Sequence, residues 1–202
     1  MGLNLGDRMG KVKQINFFRL SIHLSGFFVP FFAIIIGLFY TFLIISMVTI
    51  LYCVSEYLRI RKNHGLPIIR TITFLASKDG ETRHFVLAPF YFALGILIAL
   101  AIFKGSIAFA SIEIVALGDS SARLFGKLVG RTRLPFNKMK TLEGSLFCFV
   151  FSWLGASLFV SPSIAILGAL IGSFVESLPL PIDDHLIMSI ASGFTMQIAS
   201  LF

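Results

Sequence analysis

Acidic, basic and small residues recur at helical spacing in the segment 119–130. Positions at intervals of i, i+3, i+4, i+7, i+8 and i+11 share one face of a helix. Here they are Asp119, Ala122, Arg123, Gly126, Lys127 and Gly130. Cations suit phosphate oxygens, small residues allow a ligand or a second backbone to approach, and an acid suits a bridging divalent cation. The face therefore predicts a site for a phosphate-bearing ligand.

Each of these residues also has a structural interpretation. Asp119 follows Gly118 and could cap the start of a helix. Gly126 and Gly130 form a Gly-x-x-x-Gly pattern that is typical of close helix packing in membranes. For each residue considered alone, capping or packing is the favoured interpretation. The helical face considered as a whole favours binding of one anionic ligand.

A second basic segment follows the first. Pro135 is expected to end the helix, because proline lacks a backbone N–H. Lys138 and Lys140 point to opposite sides if the chain is extended after it. Lys140 and Glu143 could form a plain ion pair, or they could bind a phosphate and a metal or ribose.

Three acids lie near the end of the chain. Glu176 ends an apolar run, and Asp183 and Asp184 follow it. An ionisable residue within a membrane span is costly and is a functional candidate by default. Three acids opposite a basic segment predict a Mg²⁺ site, although Asp183 or Asp184 could instead cap the last helix.

Two further ionisable residues lie inside apolar runs. His23 follows Arg19 by one helical turn and is either a hydrogen-bonded packing residue or a contact for a lipid alcohol. Glu113 has no evident partner in the sequence, and a pair with Lys104 or with a basic residue of the loop is left open.

The elements that position these residues are apolar segments. The chain has 202 residues, of which 56% are hydrophobic and 13% charged. Soluble domains carry about 25% charged residues, so a soluble domain is excluded. A spanning helix needs about 20 apolar residues. The segments are 17–58, with two spans broken near Gly37, and then 85–103, 105–118, 144–160, 163–178 and 186–202. We expect an all-α integral membrane protein with about seven transmembrane helices and a single domain over residues 1–202.

The charge distribution predicts the orientation. Lys and Arg number 17 against 10 Asp and Glu, a net charge of +7. With a cytoplasmic N-terminus, 16 of the 17 cations lie inside and Lys104 lies outside. Topology alone does not explain why six cations occupy 25 positions after residue 118. These are Arg123, Lys127, Arg131, Arg133, Lys138 and Lys140.

The same motifs resemble those of the membrane polyprenol kinases, the group of dolichol kinase, phytol kinase and CTP-dependent diacylglycerol kinase. The group is distantly similar to phosphatidate cytidylyltransferase. The resemblance is carried by Asp119, Ala122, Gly126 and Gly130, by Lys140-Thr141-Leu142-Glu143-Gly144-Ser145, and by Glu176 with Asp183-Asp184. The stretches LPFNKMKTLEGS and ESLPLPIDDH look most like the phytol kinase and prokaryotic branch. His185 departs from that branch, in which asparagine usually follows the two aspartates.

The resemblance implies a kinase that transfers the γ-phosphoryl group of CTP, or of UTP, to an isoprenoid alcohol of the dolichol, polyprenol or phytol type. The cytoplasmic segment 119–145 would bind the nucleotide through Ala122, Arg123, Gly126, Lys127, Gly130, Arg131, Lys138, Lys140, Thr141, Glu143 and Gly144. Mg²⁺ would be held by Asp119, Glu176, Asp183 and Asp184. The implied catalytic residues are Asp119, Lys140, Glu176 and Asp184, and His23 would meet the alcohol.

Three alternatives are carried beside this interpretation. A cytidylyltransferase would use the same nucleotide site and a second basic cluster in residues 59–84. A small transporter would use Glu113 and Glu176 along its pathway, and a structural subunit would only bind anionic lipid. The expected location is a prokaryotic cell membrane, or an ER-type membrane in a eukaryote. Nucleic acid is not an expected partner, and a homodimer is left open.

Overall fold

The computed structural model is a bundle of helices and describes residues 17–62, 69, 71, 73, 84–180 and 183–202. The helices are α1 (Phe17–Ser25), α2 (Val29–Ile36), α3 (Leu38–Lys62), α4 (Leu87–Ile102), α5 (Gly105–Glu113), α6 (Ser120–Leu128), α7 (Leu142–Ala156), α8 (Pro162–Ser177) and α9 (Asp184–Ala199). A 3₁₀ turn, Gly26–Phe28, joins α1 to α2, and a π-helical turn, Ile114–Asp119, joins α5 to α6. The described residues contain no β-strand, so the all-α prediction is confirmed.

The first two helical runs have the length and composition of membrane spans. Phe17–Ile36 has 20 residues and Leu38–Arg61 has 24. The break predicted near Gly37 is confirmed, because Gly37 adopts a φ of 93° that favours glycine. The remaining apolar helices are shorter than 18 residues, so the count of seven spans stays a prediction. The basic N-terminal segment 1–16 and most of 59–84, on which the predicted orientation depends, lie outside the described residues.

The helical run that contains Asp119 is longer than expected. α5, the π-helical turn and α6 follow one another without a break from Gly105 to Leu128. Asp119 lies inside this run and makes no capping hydrogen bond, so the capping interpretation is wrong. The run ends before Pro135, and the expectation that Pro135 ends it is wrong too. The chain instead turns at Gly130, where an added Cβ would fall 2.1 Å from the carbonyl oxygen of Gly126.

The core forms around the π-helical turn. α8 packs between α7 and α9, and α7 also packs against the π-helical turn and α6. Ile114 is fully buried there, and the glycines of α8 allow its close approach: an added Cβ on Gly172 would lie 2.5 Å from Ile114 Cγ2. The core thus holds the π-helical turn, which leads into α6, against α7, α8 and α9.

A buried ion pair connects α3 to the start of α4. Glu56 is fully buried and accepts hydrogen bonds from Arg59 Nε at 2.9 Å, Arg59 Nη2 at 2.7 Å and the backbone N–H of Val86 at 3.1 Å. The Tyr52 hydroxyl donates to the carbonyl oxygen of Val86 at 2.6 Å. The contact of Glu56 with Val86 is not evident in the sequence, because Glu56 lies inside the long apolar run and Val86 lies thirty residues further along the chain.

Glu113 is also fully buried, but neither of its carboxylate oxygens has a hydrogen-bond partner among the described residues. The pairing with Lys104 that the sequence left open is therefore not seen. An unsatisfied buried polar group costs about 1–3 kcal/mol. We expect Glu113→Met, a change of similar volume, to stabilise the protein by about 1 kcal/mol and to raise Tm by about 2–4 °C. Thermal unfolding in detergent measures the shift.

The matched control for that experiment is Glu56→Met. It removes an equally buried carboxylate but breaks the buried ion pair with the Arg59 guanidinium, which costs about 3–5 kcal/mol. Tm is therefore expected to fall. A fall of similar size in Glu113→Met would show that the Glu113 carboxyl has a partner of its own and contradict the prediction.

Candidate active site

Asp119 lies at the centre of a polar cluster at one end of the bundle. Its side chain is fully buried. Arg123, one turn further along α6, donates from Nε to Asp119 Oδ1 at 2.8 Å. His185 Nε2, from the first turn of α9, lies 3.0 Å from Asp119 Oδ2. Asp119 thus joins the start of α6 to the start of α9.

Lys140 forms a second pair of contacts beside the first. Its Nζ lies 2.6 Å from Glu176 Oε1, in the last turn of α8, and 2.9 Å from Asp184 Oδ2, in the first turn of α9. Asp184 Oδ1 also lies 3.8 Å from Arg123 Nη2. The two cation–acid pairs therefore meet at Asp184. Five predicted site residues, which come from four separate parts of the sequence, form one cluster.

His23 and His185 stack at the buried edge of this cluster. Their ring centroids are 4.3 Å apart and their planes differ by 3°. Phe92 packs edge-on against both rings. His23 Nδ1 is buried and has no hydrogen-bond partner among the described residues. The predicted substrate residue His23 is thus next to the cluster, on its apolar side.

Asp183 has the capping role that the sequence left open. Its Oδ1 accepts the backbone N–H of His185 at 3.2 Å at the start of α9. The same oxygen contacts His185 Nδ1. The cap accounts for the position of Asp183, and a metal-binding role for it stays a prediction.

The loop that carries Lys140 is fixed by hydrogen bonds to its neighbours. Thr141 caps α7 by accepting the N–H of Gly144 at 3.2 Å. The Glu143 carboxylate accepts the backbone N–H of Thr132 at 3.1 and 3.2 Å. Glu143 is thus bound to backbone across the loop, and the plain ion pair with Lys140 is not seen, since Lys140 contacts Glu176 and Asp184 instead.

Asn137 is a supporting residue that the sequence interpretation missed. Its Nδ2 donates to the carbonyl oxygen of Ser177 at 3.1 Å, at the end of α8, and its Oδ1 accepts the N–H of Met139 at 3.2 Å. The side chain is buried. A signal was present, because an asparagine after Pro135-Phe136 is typical of a turn that hydrogen-bonds to its own backbone.

The predicted small residues lie where α6 crosses the start of α7. An added Cβ on Gly144 would lie 3.1 Å from the carbonyl oxygen of Ala122 and 3.2 Å from Gly126 Cα. An added Cβ on Gly126 would lie 3.2 Å from Thr141 Oγ1. These contacts support the packing interpretation of the glycines, and their approach to a phosphate stays a prediction.

Three of the predicted nucleotide cations have exposed side chains: Lys127, Arg131 and Lys138. The structure therefore separates the predicted cations into two sets. Arg123 and Lys140 lie inside the acidic cluster, and the other three lie on the solvent-exposed surface of α6 and of the following loop.

Charge interactions dominate the ionisation of Asp119 and Lys140. Burial opposes the charged form of Asp119, but Arg123 and His185 outweigh it and hold the pKa of Asp119 well below its usual range. Burial likewise opposes the charged form of Lys140, but Asp184 and Glu176 outweigh it and raise the pKa of Lys140 above its ordinary value. The carboxylate of Asp119 and the ammonium of Lys140 are therefore both charged at neutral pH.

The acids fit a hard divalent cation. Oxygens of Asp119, Glu176 and Asp184 lie within 4.8 Å of one another. Together with Asp183, four carboxylates face the two cations Arg123 and Lys140, which leaves two formal negative charges. Oxygen ligands of this kind suit Mg²⁺.

A second set of donor atoms, from His23, Asp119 and His185, also lies within 4.8 Å. It does not fit one metal ion, because imidazole nitrogens bind a metal in the plane of the ring. The two stacked rings are parallel, so their lone pairs do not converge on one point.

The chain is similar to several curated proteins. Aligned residues covering 66% of the chain are 29% identical to the probable chloroplastic phytol kinase of Triticum aestivum, and they span 49% of that protein. Identity to chloroplastic phytol kinase 1 of Arabidopsis thaliana is 24% over 62% of the chain and 46% of the relative. Identity to chloroplastic farnesol kinase of Arabidopsis thaliana is 31% over 58% of the chain and 44% of the relative.

The chain thus spans about half the length of the curated relatives it matches. No family model and no solved structure matches it. Homologues that are phytol and farnesol kinases, even at low identity, confirm the resemblance to the polyprenol kinase group.

Proposed function

We propose that the protein is a membrane kinase that phosphorylates the hydroxyl group of an isoprenoid alcohol with a nucleoside triphosphate as donor. The observation that carries the proposal is the cluster of Asp119, Arg123, Lys140, Glu176 and Asp184. Catalysis of phosphoryl transfer consists mainly of positioning and charge neutralisation, and this cluster offers acids and cations for both. The relatives named phytol kinase and farnesol kinase supply the class of alcohol.

The finer parts of the proposal come from the sequence. CTP is the proposed donor, with UTP as an alternative, and dolichol, other polyprenols and phytol are the proposed acceptors. Seven spans with a cytoplasmic N-terminus place the site at the cytoplasmic face of the membrane, which is supported by the location of 16 of the 17 cations. Two helices of spanning length and composition support the membrane location.

The cluster assigns separate tasks to its residues. Asp119, Glu176 and Asp184, with Asp183, would hold Mg²⁺, which when bound neutralises charge on the triphosphate. Arg123 and Lys140 bind phosphate oxygens, and the exposed Lys127, Arg131 and Lys138 attract the nucleotide to the site.

The alcohol approaches from the apolar side of the cluster. His23 Nδ1 is buried there without a partner among the described residues, and the hydroxyl of the alcohol would satisfy it. The alcohol oxygen attacks the γ-phosphorus, the bond from that phosphorus to the bridging oxygen breaks, and the nucleoside diphosphate leaves. One of the clustered carboxylates accepts the hydroxyl proton.

An assay with the purified full chain tests the proposal. CTP labelled with ³²P at the γ-position is offered with phytol, farnesol, geranylgeraniol, dolichol or diacylglycerol, and lipid-soluble label is expected with the isoprenoid alcohols. CTP labelled at the α-position is offered in parallel with the corresponding lipid phosphates. Label that reaches the lipid as CMP would show a cytidylyltransferase and overturn the kinase proposal.

A transporter finds less support in the structure. Such a pathway would use Glu113 and Glu176, but Glu176 belongs to the cluster through Lys140. Glu113 has no hydrogen-bond partner among the described residues that would continue a polar path.

A further inference from the structure

His185 lies at the buried edge of the candidate site and contacts its acids, although neither the motif pattern nor the proposed mechanism assigns it a role. Its side chain is fully buried. Nε2 lies 3.0 Å from Asp119 Oδ2, and Nδ1 contacts Asp183 Oδ1. Nδ1 also lies 3.5 Å from Asp184 Oδ1. One imidazole ring therefore reaches three of the four acids that would hold the metal.

The ring is held on its faces and edges as well as at its nitrogens. His23 stacks on one face at 4.3 Å between centroids, and Phe92 packs edge-on with its centroid at 5.9 Å. Arg123 Nη2 also lies 3.0 Å from Nε2, and this ring nitrogen either accepts from Arg123 or donates to Asp119, but not both. A rigid ring fixed in this way sets the separation of Asp119 and Asp183, which belong to different helical runs.

Both nitrogens of His185 face carboxylate oxygens, so the ring contacts the acids that would hold the metal. Groups that hydrogen-bond to metal-binding side chains orient them, and their loss typically costs about 10–100-fold in metal affinity or activity.

We propose that His185 is a positioning residue that fixes Asp119 and Asp183 for binding of the divalent cation. The inference rests on the proposed function for the identity of the metal site. An asparagine at position 185, usual in the resembling branch, has a shorter side chain and no ring to stack on His23. The histidine ring contacts both Asp119 and Asp183.

Binding of Mn²⁺ alone tests the proposal without relying on activity. Mn²⁺ accepts the same oxygen ligands as Mg²⁺, and loss of the free-ion signal in electron paramagnetic resonance reports its binding to the purified full chain in detergent. We expect His185→Phe, which keeps a ring between His23 and Phe92 but loses both nitrogen contacts, to weaken Mn²⁺ binding about 10–100-fold. His185→Asn is expected to weaken it to a similar extent.

The matched control is Ser189→Ala, one turn further along α9. Ser189 is buried and donates to the carbonyl oxygen of Gly95 at 3.1 Å, outside the acidic cluster. It is expected to keep the wild-type Mn²⁺ affinity within about twofold, which is well below the loss expected at position 185. Thermal unfolding and size-exclusion chromatography show which variants are folded. Two substitutions are made at position 185, so that the test can still be done if one variant does not fold.

The outcomes separate this inference from the proposed function. Folded His185→Phe or His185→Asn protein with wild-type Mn²⁺ affinity would overturn the positioning role, even if the wild type phosphorylates an isoprenoid alcohol. Wild-type protein that binds no Mn²⁺ would overturn it as well. Weakened Mn²⁺ binding in both variants would support it whichever lipid proves to be the substrate.

Discussion

Asp119→Asn is expected to lower kcat/KM for phosphorylation of an isoprenoid alcohol by about three powers of ten or more, while the chain stays folded. Asn keeps the shape of the side chain but removes the negative charge that faces Arg123 Nε at 2.8 Å and His185 Nε2 at 3.0 Å. It also removes an anionic oxygen from the acids that would hold Mg²⁺. Transfer of γ-³²P from CTP to phytol, with thermal unfolding of the same preparation, measures both effects.

Glu56→Gln is the matched control for this substitution. Glu56 is as deeply buried as Asp119 and is likewise paired with an arginine of its own helix, Arg59. It connects α3 to α4 rather than α6 to α9, so its loss is expected to reduce stability and to leave kcat/KM within a few-fold of the wild type. Equal loss of activity in the two variants would mean that Asp119 acts only through folding, which would contradict its assignment to the active site.

The sequence placed Asp119 and Arg123 on one helical face, because a separation of four residues brings two side chains to the same side of a helix. The ion pair between them was not predicted, since the acid was assigned to a metal and the cation to phosphate. The sequence also predicted the break at Gly37, since glycine tolerates a positive φ. Helical periodicity carries this kind of information because both partners belong to one element.

The meeting of Lys140 with Glu176 and Asp184 could not be deduced from spacing. Three different segments supply these residues, and their approach depends on how α7, α8 and α9 pack. The resemblance to a kinase group suggested that they act together, but it did not show which acids the lysine contacts.

His185 was missed for a different reason. His185 differs from the asparagine that is usual at this place in the resembling motif, so the motif gave it no role. Its importance depends on two ring nitrogens that contact Asp119 and Asp183 and on stacking with His23. His23 lies 162 positions earlier in the chain. Such a role becomes visible when the first and last helices are seen side by side.

The π-helical turn was also invisible to side-chain periodicity. It widens the helix between Ile114 and Asp119, and Ser152 Oγ donates to the carbonyl oxygen of Ile114 at 3.1 Å. Gly118 permits this contact, because an added Cβ would lie 2.1 Å from Ser152 Oγ. The backbone geometry that aims Asp119 is therefore set by a residue of α7, which no local pattern around Asp119 contains.

Lys140→Met is expected to lower kcat/KM by about 100- to 1000-fold, the usual loss when one charge-stabilising donor is removed from an active site. The Lys140 ammonium contacts Glu176 at 2.6 Å and Asp184 at 2.9 Å, and its loss removes the cation that these two acids share. Lys138→Met is the comparison, because the sequence treated both lysines as phosphate-binding. The Lys138 side chain is exposed, so we expect its loss to raise KM for the nucleotide a few-fold with little change in kcat. Initial rates over a range of CTP concentrations separate the two parameters, and equal effects of the two substitutions would contradict the assignment of Lys140 to the catalytic cluster.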